Sequence, residues 1–341
     1  MFKEKSLKNI GIEAIKKVED ENIISIADKV STRIKNTFSN SNINYLNIYK
    51  TLLETPMYYA KIPQGLSEAN YFFKNSTIYF SEDIDLENLS EYVYHECIHK
   101  LQEYKNKKGN ITRLGICEVN ELTVKATALN EGAIQYITSK VIGSEPRIIS
   151  VYGINLSTKT EYYPLLTNII SGLVYLLGEE ILVDSTLNSN ENFKIEIIDS
   201  IGESEYNTIE KNTNQILKLK NSINNNENEI DDVKEEIKQL YFETQNLIFS
   251  SYFNNILKRV ENDDEIEMAK KKLFLYENIL GNAENYNYYT TYCEYFVENA
   301  SKKLQDLKNK TALIVIKDNI IFRMFRKIKT LFTKSTNEYY K

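Results

Sequence analysis

The sequence predicts an α+β fold that is mostly helical, with one small sheet before a buried helix and long helices after it. Apolar residues recur at helical spacing over most of the chain. Residues 69–81, ANYFFKNSTIYFS, are rich in the aromatic and β-branched residues that favour strands. Residues 205–310 are highly charged and almost free of Gly and Pro, which is typical of long helices.

Two helices are predicted before the sheet. Apolar residues three to five positions apart indicate a helix over residues 8–38, and a second helix is indicated over residues 45–53. Pro56 then opens a different kind of segment. Within residues 69–81, the polar pair at 74–75 separates two short β-prone runs, which predicts a β-hairpin.

The middle of the chain alternates helices with short connections. A helix is predicted from residue 86 to residue 107, with Asp85 as its N-cap, and an extended segment follows at residues 114–117. Further helices are predicted over residues 121–141 and 162–182. The second of these is apolar enough to be buried.

The last part of the chain changes character twice. Residues 205–310 predict long antiparallel helices, with a turn at the polar run 224–229, NNNENE. Residues 317–334 carry six basic residues and one acidic residue among apolar ones. A basic amphipathic helix of this kind can lie on an anionic membrane or in the groove of a partner, or it can dock on its own protein with its lysines in solvent.

Composition limits the classes of function. The net charge of −6 argues against nucleic acid as the main partner, because a polyanion needs a basic surface. The three cysteines, Cys97, Cys117 and Cys293, form no CxxC pair, so we expect reduced thiols and no disulfide framework. The charged N-terminus is unlike a signal peptide, and no apolar run reaches about 20 residues. We therefore expect a cytoplasmic protein, with export by a non-classical route left open.

The only two histidines of the chain are four residues apart, in the run His95-Glu96-Cys97-Ile98-His99. On a helix, positions i and i+4 share one face, so both imidazoles can bind one metal ion. Glu96 is rotated from His95 by about 100°, which places it beside the metal as a general base for water. Apolar neighbours indicate that this helix is buried, and buried polar side chains need a partner such as a metal.

A catalytic zinc ion needs three protein ligands and one open position. With no third histidine, the remaining ligand must be a carboxylate or a thiol. Cys97 points away from the face of the two histidines. Glu131 lies on a later predicted helix that could cross the first, and three other glutamates stay open as alternatives: Glu118, Glu121 and Glu179.

The run HECIH, followed by Asn130-Glu131-Gly132, resembles the gluzincin metallopeptidases. The resemblance covers about residues 60–185 and implies a Zn²⁺ cofactor and a zincin-like small sheet before the active-site helix. It implies that His95 and His99 are metal ligands, that Glu96 is the general base, and that Glu131 is the third ligand.

The chain departs from the thermolysin-like pattern at Gln135. That pattern has an aspartate there, which orients a ligand histidine; a glutamine can hydrogen-bond an imidazole but supplies no carboxylate. The resemblance also implies a Tyr or His that binds the oxyanion. Because no third histidine exists, we expect Tyr163, with Tyr162 as the alternative.

The predicted function is that of a zinc metallopeptidase, a hydrolase acting on a peptide or protein substrate. Such a substrate would add as a strand to the edge of the small sheet. A zinc-binding protein without peptidase activity, acting as an interaction module, is the alternative, and a toxin-like protease acting inside another cell is a third interpretation. Three regions are predicted: a catalytic domain at 1–203, a helical region at 204–310 and a basic amphipathic tail at 311–341 that could contact a membrane surface or a partner.

Overall fold

The computed structural model describes most of the chain. The described residues are 11–120, 124–160, 162–223, 230–281, 287–309 and Lys317. They form an α+β fold in which helices dominate, as predicted. Contacts divide the chain into two compact units. One comprises Met1–Tyr252 and Leu275–Tyr288, and the other comprises Phe253–Phe274 and Tyr289–Lys341.

A four-stranded sheet contains the predicted hairpin. Its strands are β1 (Glu13–Lys17), β2 (Met57–Lys61), β3 (Ala69–Phe72) and β4 (Thr77–Ser81). Their order is β1-β2-β4-β3, with β2 and β4 parallel and the other pairs antiparallel. Ala69 lies opposite Phe80 and Phe72 lies opposite Thr77, which confirms the hairpin. β3 is an edge strand of this sheet.

The N-terminal helix is shorter than predicted. The sequence predicts one helix over residues 8–38, but residues 13–17 form β1, and helix α1 covers Asp20–Thr37. The prediction is wrong for β1 because the backbone of that strand pairs with β2, and local apolar spacing does not reveal a partner 40 residues away. Helix α2 (Tyr45–Leu53) matches its prediction. The Asn44 side chain caps it by accepting the N–H of Leu46 at 2.8 Å.

The helix that carries both histidines, α3 (Glu91–Leu101), is shorter than the predicted span of 86–107. Asp85 is not its N-cap. Its Oδ1 accepts the N–H groups of Glu87 and Asn88 at 2.8 and 3.0 Å, which forms a turn before the helix. The C-terminal end is early because the chain after Gln102 turns into a strand.

A second four-stranded sheet follows α3. Its strands are β5 (Glu103–Lys105), β6 (Ile111–Leu114), β7 (Cys117–Val119) and β8 (Val124–Lys125), paired in that order. The predicted extended segment at 114–117 is the tight connection between β6 and β7. Helix α4 (Thr127–Ile142) begins later than the predicted residue 121 because residues 124–125 belong to β8.

A second hairpin follows, formed by β9 (Arg147–Val151) and β10 (Ile154–Thr158), which the sequence analysis did not predict. Its signal is a pair of β-branched runs on either side of Tyr152-Gly153, both of which have positive φ. The helix predicted at 162–182 is two helices, α5 (Pro164–Leu177) and α6 (Glu179–Leu187). Gly178 separates them with φ +107°, a backbone angle that ends a helix and favours glycine.

Helices make up the rest of the described chain. They are α7 (Asn192–Ser200), α8 (Glu203–Ile223), α9 (Ile230–Arg259), α10 (Asp263–Leu275), α11 (Glu277–Leu280) and α12 (residues 287–309). Long helices therefore follow the sheets, as predicted. Within the second unit, the rings of Phe253 and Phe296 pack at 5.7 Å, and the Tyr292 hydroxyl donates to Asn254 at 2.9 Å.

Some predictions fall outside the described residues. These are the turn at 224–229 and, except for Lys317, the basic tail at 311–341. The division into a catalytic domain at 1–203 and a helical region at 204–310 concerns where the chemistry lies, and it stays a prediction. Among the helices of the described chain, none has both the length and the apolarity that crossing a bilayer requires.

Helix α4 lies at the centre of the first unit and contacts α1, α3, α5 and α8. It is buried on almost every side and also buries polar residues, including Asn130, Gln135 and Thr138. Gly132 allows α5 to pack closely, because a Cβ at this position would lie 2.8 Å from the backbone oxygen of Leu166. The packing of α4 thus fixes the position of the residues beside Gly132.

Candidate metal centre

The first residues of the candidate centre are His95 and His99, one turn apart on α3. Their ring centres are 4.9 Å apart, as i and i+4 spacing on one helix face predicts. His95 is 2% exposed, whereas the side chain of His99 is 17% exposed. One imidazole is therefore enclosed by protein, and the other borders accessible space.

Glu131 joins the two histidines from α4. Its Oε2 lies 3.3 Å from Nε2 of His95 and 3.5 Å from Nε2 of His99. Burial on its own raises the pKa of Glu131, but the nearby imidazoles outweigh it and hold that pKa well below its usual range. The predicted third ligand is therefore an ionised carboxylate placed between two imidazole nitrogens.

These three side chains fit a divalent metal ion. All three ligand atoms lie within 4.8 Å of one another. Zinc–ligand bonds of about 2.0–2.1 Å at tetrahedral angles would place neighbouring ligand atoms about 3.3 Å apart, close to the two distances measured to Glu131. The exposed fractions of His99 and Glu131, 17% and 16%, leave one side of the group accessible to a fourth ligand.

The other candidate ligands lie elsewhere. The Glu118 carboxylate pairs with Lys194 at 2.7 Å. Glu179 accepts the Tyr136 hydroxyl at 2.7 Å and pairs with Lys140. Glu121 lies outside the described residues. Cys97 is fully buried, which raises the pKa of its thiol, and it is not part of the group.

Asn130 and Gln102 place Glu131, a role that the sequence analysis did not assign. The two side chains exchange hydrogen bonds of 3.1 Å in both directions, and both are buried. Asn130 Oδ1 also accepts the N–H of Ile116 at 3.3 Å. This reciprocal amide pair joins the C-cap of α3 to the first turn of α4, one residue before the carboxylate. In the sequence, the one sign of this amide pair is the Asn that precedes Glu131.

Gln135 orients His95. Its Oε1 lies 2.8 Å from Nδ1 of His95, and its Nε2 donates to Thr160 Oγ1 at 2.6 Å. Because an amide oxygen can only accept, it favours the tautomer with a proton on Nδ1 and leaves Nε2 free to bind a metal. The glutamine at the position where the thermolysin-like pattern has an aspartate thus makes the hydrogen bond that the sequence left in doubt.

Glu96 lies beside the three ligands and also contacts the first sheet. It is 7% exposed, and its Oε2 accepts the backbone N–H of Tyr71 on β3 at 2.7 Å. Burial raises the pKa of Glu96 to about 7, although His95 and this N–H oppose the rise. The ring of Tyr71 stacks on His99 with centres 6.1 Å apart. The free edge of β3 therefore borders the centre.

Tyr162 and Tyr163 form another wall of the candidate centre. The ring centres of Tyr162 and Tyr163 lie 5.3 and 6.2 Å from that of His95, and their hydroxyls are 3.3 Å apart. Tyr163 is the N-cap of α5 and has left-handed backbone angles, φ 49° and ψ 44°, which are uncommon for a tyrosine. Burial and the Glu131 charge raise the pKa of Tyr163 far above its usual range, so its phenol keeps its proton.

Comparisons with known proteins add no relative. None of the family models, curated proteins or solved structures compared with the chain matches it. The gluzincin resemblance therefore rests on the runs 95–99 and 130–132, and it stays an interpretation of those residues.

Proposed function

We propose that this protein is a zinc-dependent metallopeptidase with His95, His99 and Glu131 as ligands. The observation that carries the proposal is the convergence of two imidazoles and one carboxylate on one point, with a second buried carboxylate, Glu96, next to them. Two histidines and a glutamate are a donor set of catalytic zinc sites. A purely structural ion would have no use for the adjacent Glu96.

A bound zinc ion would supply a Lewis acid that polarises a carbonyl group and makes a water molecule more acidic. Glu96 would then accept a proton from the attacking water and deliver it to the leaving amine. The carboxylate is held for this task by the N–H of Tyr71.

Tyr163 is the proposed donor to the oxyanion. Its ring lies near His95, and its raised pKa keeps the phenol protonated, so it can donate a hydrogen bond to the charge that develops on the carbonyl oxygen. Tyr162 lies at a similar distance and is the alternative donor.

The proposed substrate is a peptide or protein segment in extended conformation. The free edge of β3 borders α3, and an added strand could form main-chain hydrogen bonds with it. Among the backbone groups on the free edge of β3, the N–H of Tyr71 already donates a hydrogen bond to Glu96. Strand addition would thus bring a peptide alongside the proposed base.

The test combines metal content with hydrolysis of a peptide library. We expect about one zinc per chain, loss of zinc in His95→Ala, and retention of zinc in Glu96→Gln. Hydrolysis by Glu96→Gln should fall by about 10²–10⁴-fold, the usual contribution of a general base. Glu179→Gln, which changes a half-buried carboxylate away from the centre, serves as the control.

Each part of the proposal can fail separately. A protein that binds zinc but cleaves no peptide, with or without a chelator, would support the zinc-binding interaction module instead. If Glu96→Gln cleaved peptides as fast as the wild type, the role of Glu96 would be wrong. If purified protein contained no transition metal and bound none, the whole assignment would fail.

A further inference from the structure

Helix α8 lies beside the candidate centre. The N–H of Ala126 donates to Glu210 and that of Ala128 donates to Asn214, both at 3.0 Å. These side chains on α8 bind the backbone groups at the start of α4, which have no partner within that helix. The contact fixes α8 near Glu131 and brings Lys220 to the centre.

Lys220 rests on the two tyrosines. Its Nζ lies 4.1 Å from the ring centre of Tyr163 and 5.3 Å from that of Tyr162. The Tyr163 ring centre is 6.2 Å from that of His95. The ammonium group therefore lies within about 10 Å of the His95 ring, a span of at most about three extended residues.

Lys220 is half-buried, but no carboxylate within the described part of the chain forms an ion pair with it. Other partly buried lysines do pair: Lys140 with Glu179 and Lys194 with Glu118. The Glu131 carboxylate acts on this ammonium group electrostatically but forms no ion pair with it, and the aromatic faces offset the cost of burying the charge only in part. The position suits an anion supplied by a ligand.

A small cavity lies next to Lys220. Its volume is about 30 Å³, and its walls include Tyr163 together with the apolar residues Val151, Leu166 and Ile216. None of the residues that line it carries a carboxylate, so the cavity supplies no anionic partner for Lys220.

We propose that Lys220 binds the C-terminal carboxylate of the substrate, so that cleavage occurs one or two residues from the C-terminus. This inference rests on the proposed peptidase function, because the spacing is measured from the metal centre. A free terminal carboxylate is a compact anion that an ammonium group can bind with charge-assisted hydrogen bonds. The contacts with Tyr163 and Tyr162 hold the ammonium group near the candidate centre.

The hydrolysis test uses a pool of N-acetylated pentapeptides made once with a free C-terminal carboxylate and once as C-terminal amides. The wild type should cleave the acids at least tenfold faster, mainly one or two residues from the end, as mass spectrometry of the products would show. Lys220→Met should remove the preference by slowing cleavage of the acids, and Lys220→Arg should restore part of it. Lys218→Met, an exposed lysine on the same helix, is the matched control.

A binding test separates this inference from the proposed function. Zinc-loaded Glu96→Gln protein, with and without Lys220→Met, is dialysed against both pools, and bound peptides are measured by mass spectrometry. Preferential binding of the acids, lost with Lys220→Met, would support the carboxylate site even if the wild type hydrolysed nothing. Circular dichroism checks that each variant is folded, and Lys220→Gln, which also removes the charge, carries the test if Lys220→Met is not folded.

Other outcomes overturn the inference. Equal cleavage of acids and amides by the wild type would leave the metallopeptidase proposal standing and remove the carboxylate site. If Lys220→Met slowed both pools equally, Lys220 would only support Tyr163. If the wild type hydrolysed neither pool and the zinc-loaded protein bound acids and amides equally, this inference would fail together with peptidase activity on these peptides.

Discussion

Replacing Gln135 with leucine should weaken zinc binding without removing a ligand. Gln135 is fully buried, and its Oε1 is 2.8 Å from Nδ1 of His95. With a metal on Nε2, the His95 proton must be on Nδ1, where Gln135 accepts it. Leucine has a similar size but no acceptor, so the Nδ1–H would be buried and unpaired in the metal-bound state.

The free-energy cost of losing the Gln135 acceptor falls mainly on the zinc-bound state. Without metal, the His95 proton can move to Nε2 and be donated to Glu131, 3.3 Å away. A buried hydrogen-bond donor that loses its acceptor costs about 1–3 kcal/mol of free energy. We therefore expect zinc affinity to fall by about 10–100-fold, the effect typical of removing a residue that orients a ligand.

The assay is competition for zinc with a chromophoric chelator at fixed pH. Gln245→Leu is the matched control, because Gln245 is also fully buried and bonds to Asn168 and Tyr276, away from the metal ligands. This variant should lose stability but keep its zinc affinity. Wild-type affinity in a folded Gln135→Leu protein would refute the argument that Gln135 fixes the tautomer of His95.

Two further predictions concern the third ligand and the oxyanion donor. Glu131→Ala should lose stoichiometric zinc in metal analysis, whereas Glu179→Ala should retain it; the opposite result would move the third ligand to Glu179. Tyr163→Phe should keep zinc and lower kcat by about 10²–10³-fold, the usual effect of removing an oxyanion donor. A larger loss in Tyr162→Phe, measured with the same peptides, would assign that role to Tyr162 instead.

The two candidate histidine ligands could be singled out from the sequence because the information is local and rare. Two histidines one helical turn apart define a shared face, and no other histidine competes with them. Glu131 was harder to predict, because the sequence left several glutamates open as the third ligand. The structure selects it through the packing of α4 against α3, which depends on long-range contacts such as that of Gln102 with Asn130.

Two of the errors in the fold arise where a strand forms in place of a predicted helix. Residues 13–17 have helical spacing of apolar residues but form β1, and the helix predicted over 86–107 ends at Leu101 because the next residues form β5. At residues 13–17, pairing with β2, about 40 residues away, overrides the local preference, whereas β5 forms a hairpin with β6, the next strand in sequence. The hairpin at 69–81 was predictable because its two strands lie next to each other in sequence.

Lys220 could not be connected to the centre from sequence, since it lies 89 positions after Glu131 in a segment that looks like a solvated charged helix. The packing of α8, including the hydrogen bonds of Glu210 and Asn214 to the start of α4, brings it to the tyrosines. The same contacts place α8 in the first compact unit with the metal ligands. Among the long helices after residue 203, α8 therefore belongs with the candidate centre. If the proposed carboxylate site exists, the helix that stabilises the start of α4 would also determine which peptide ends the protein binds.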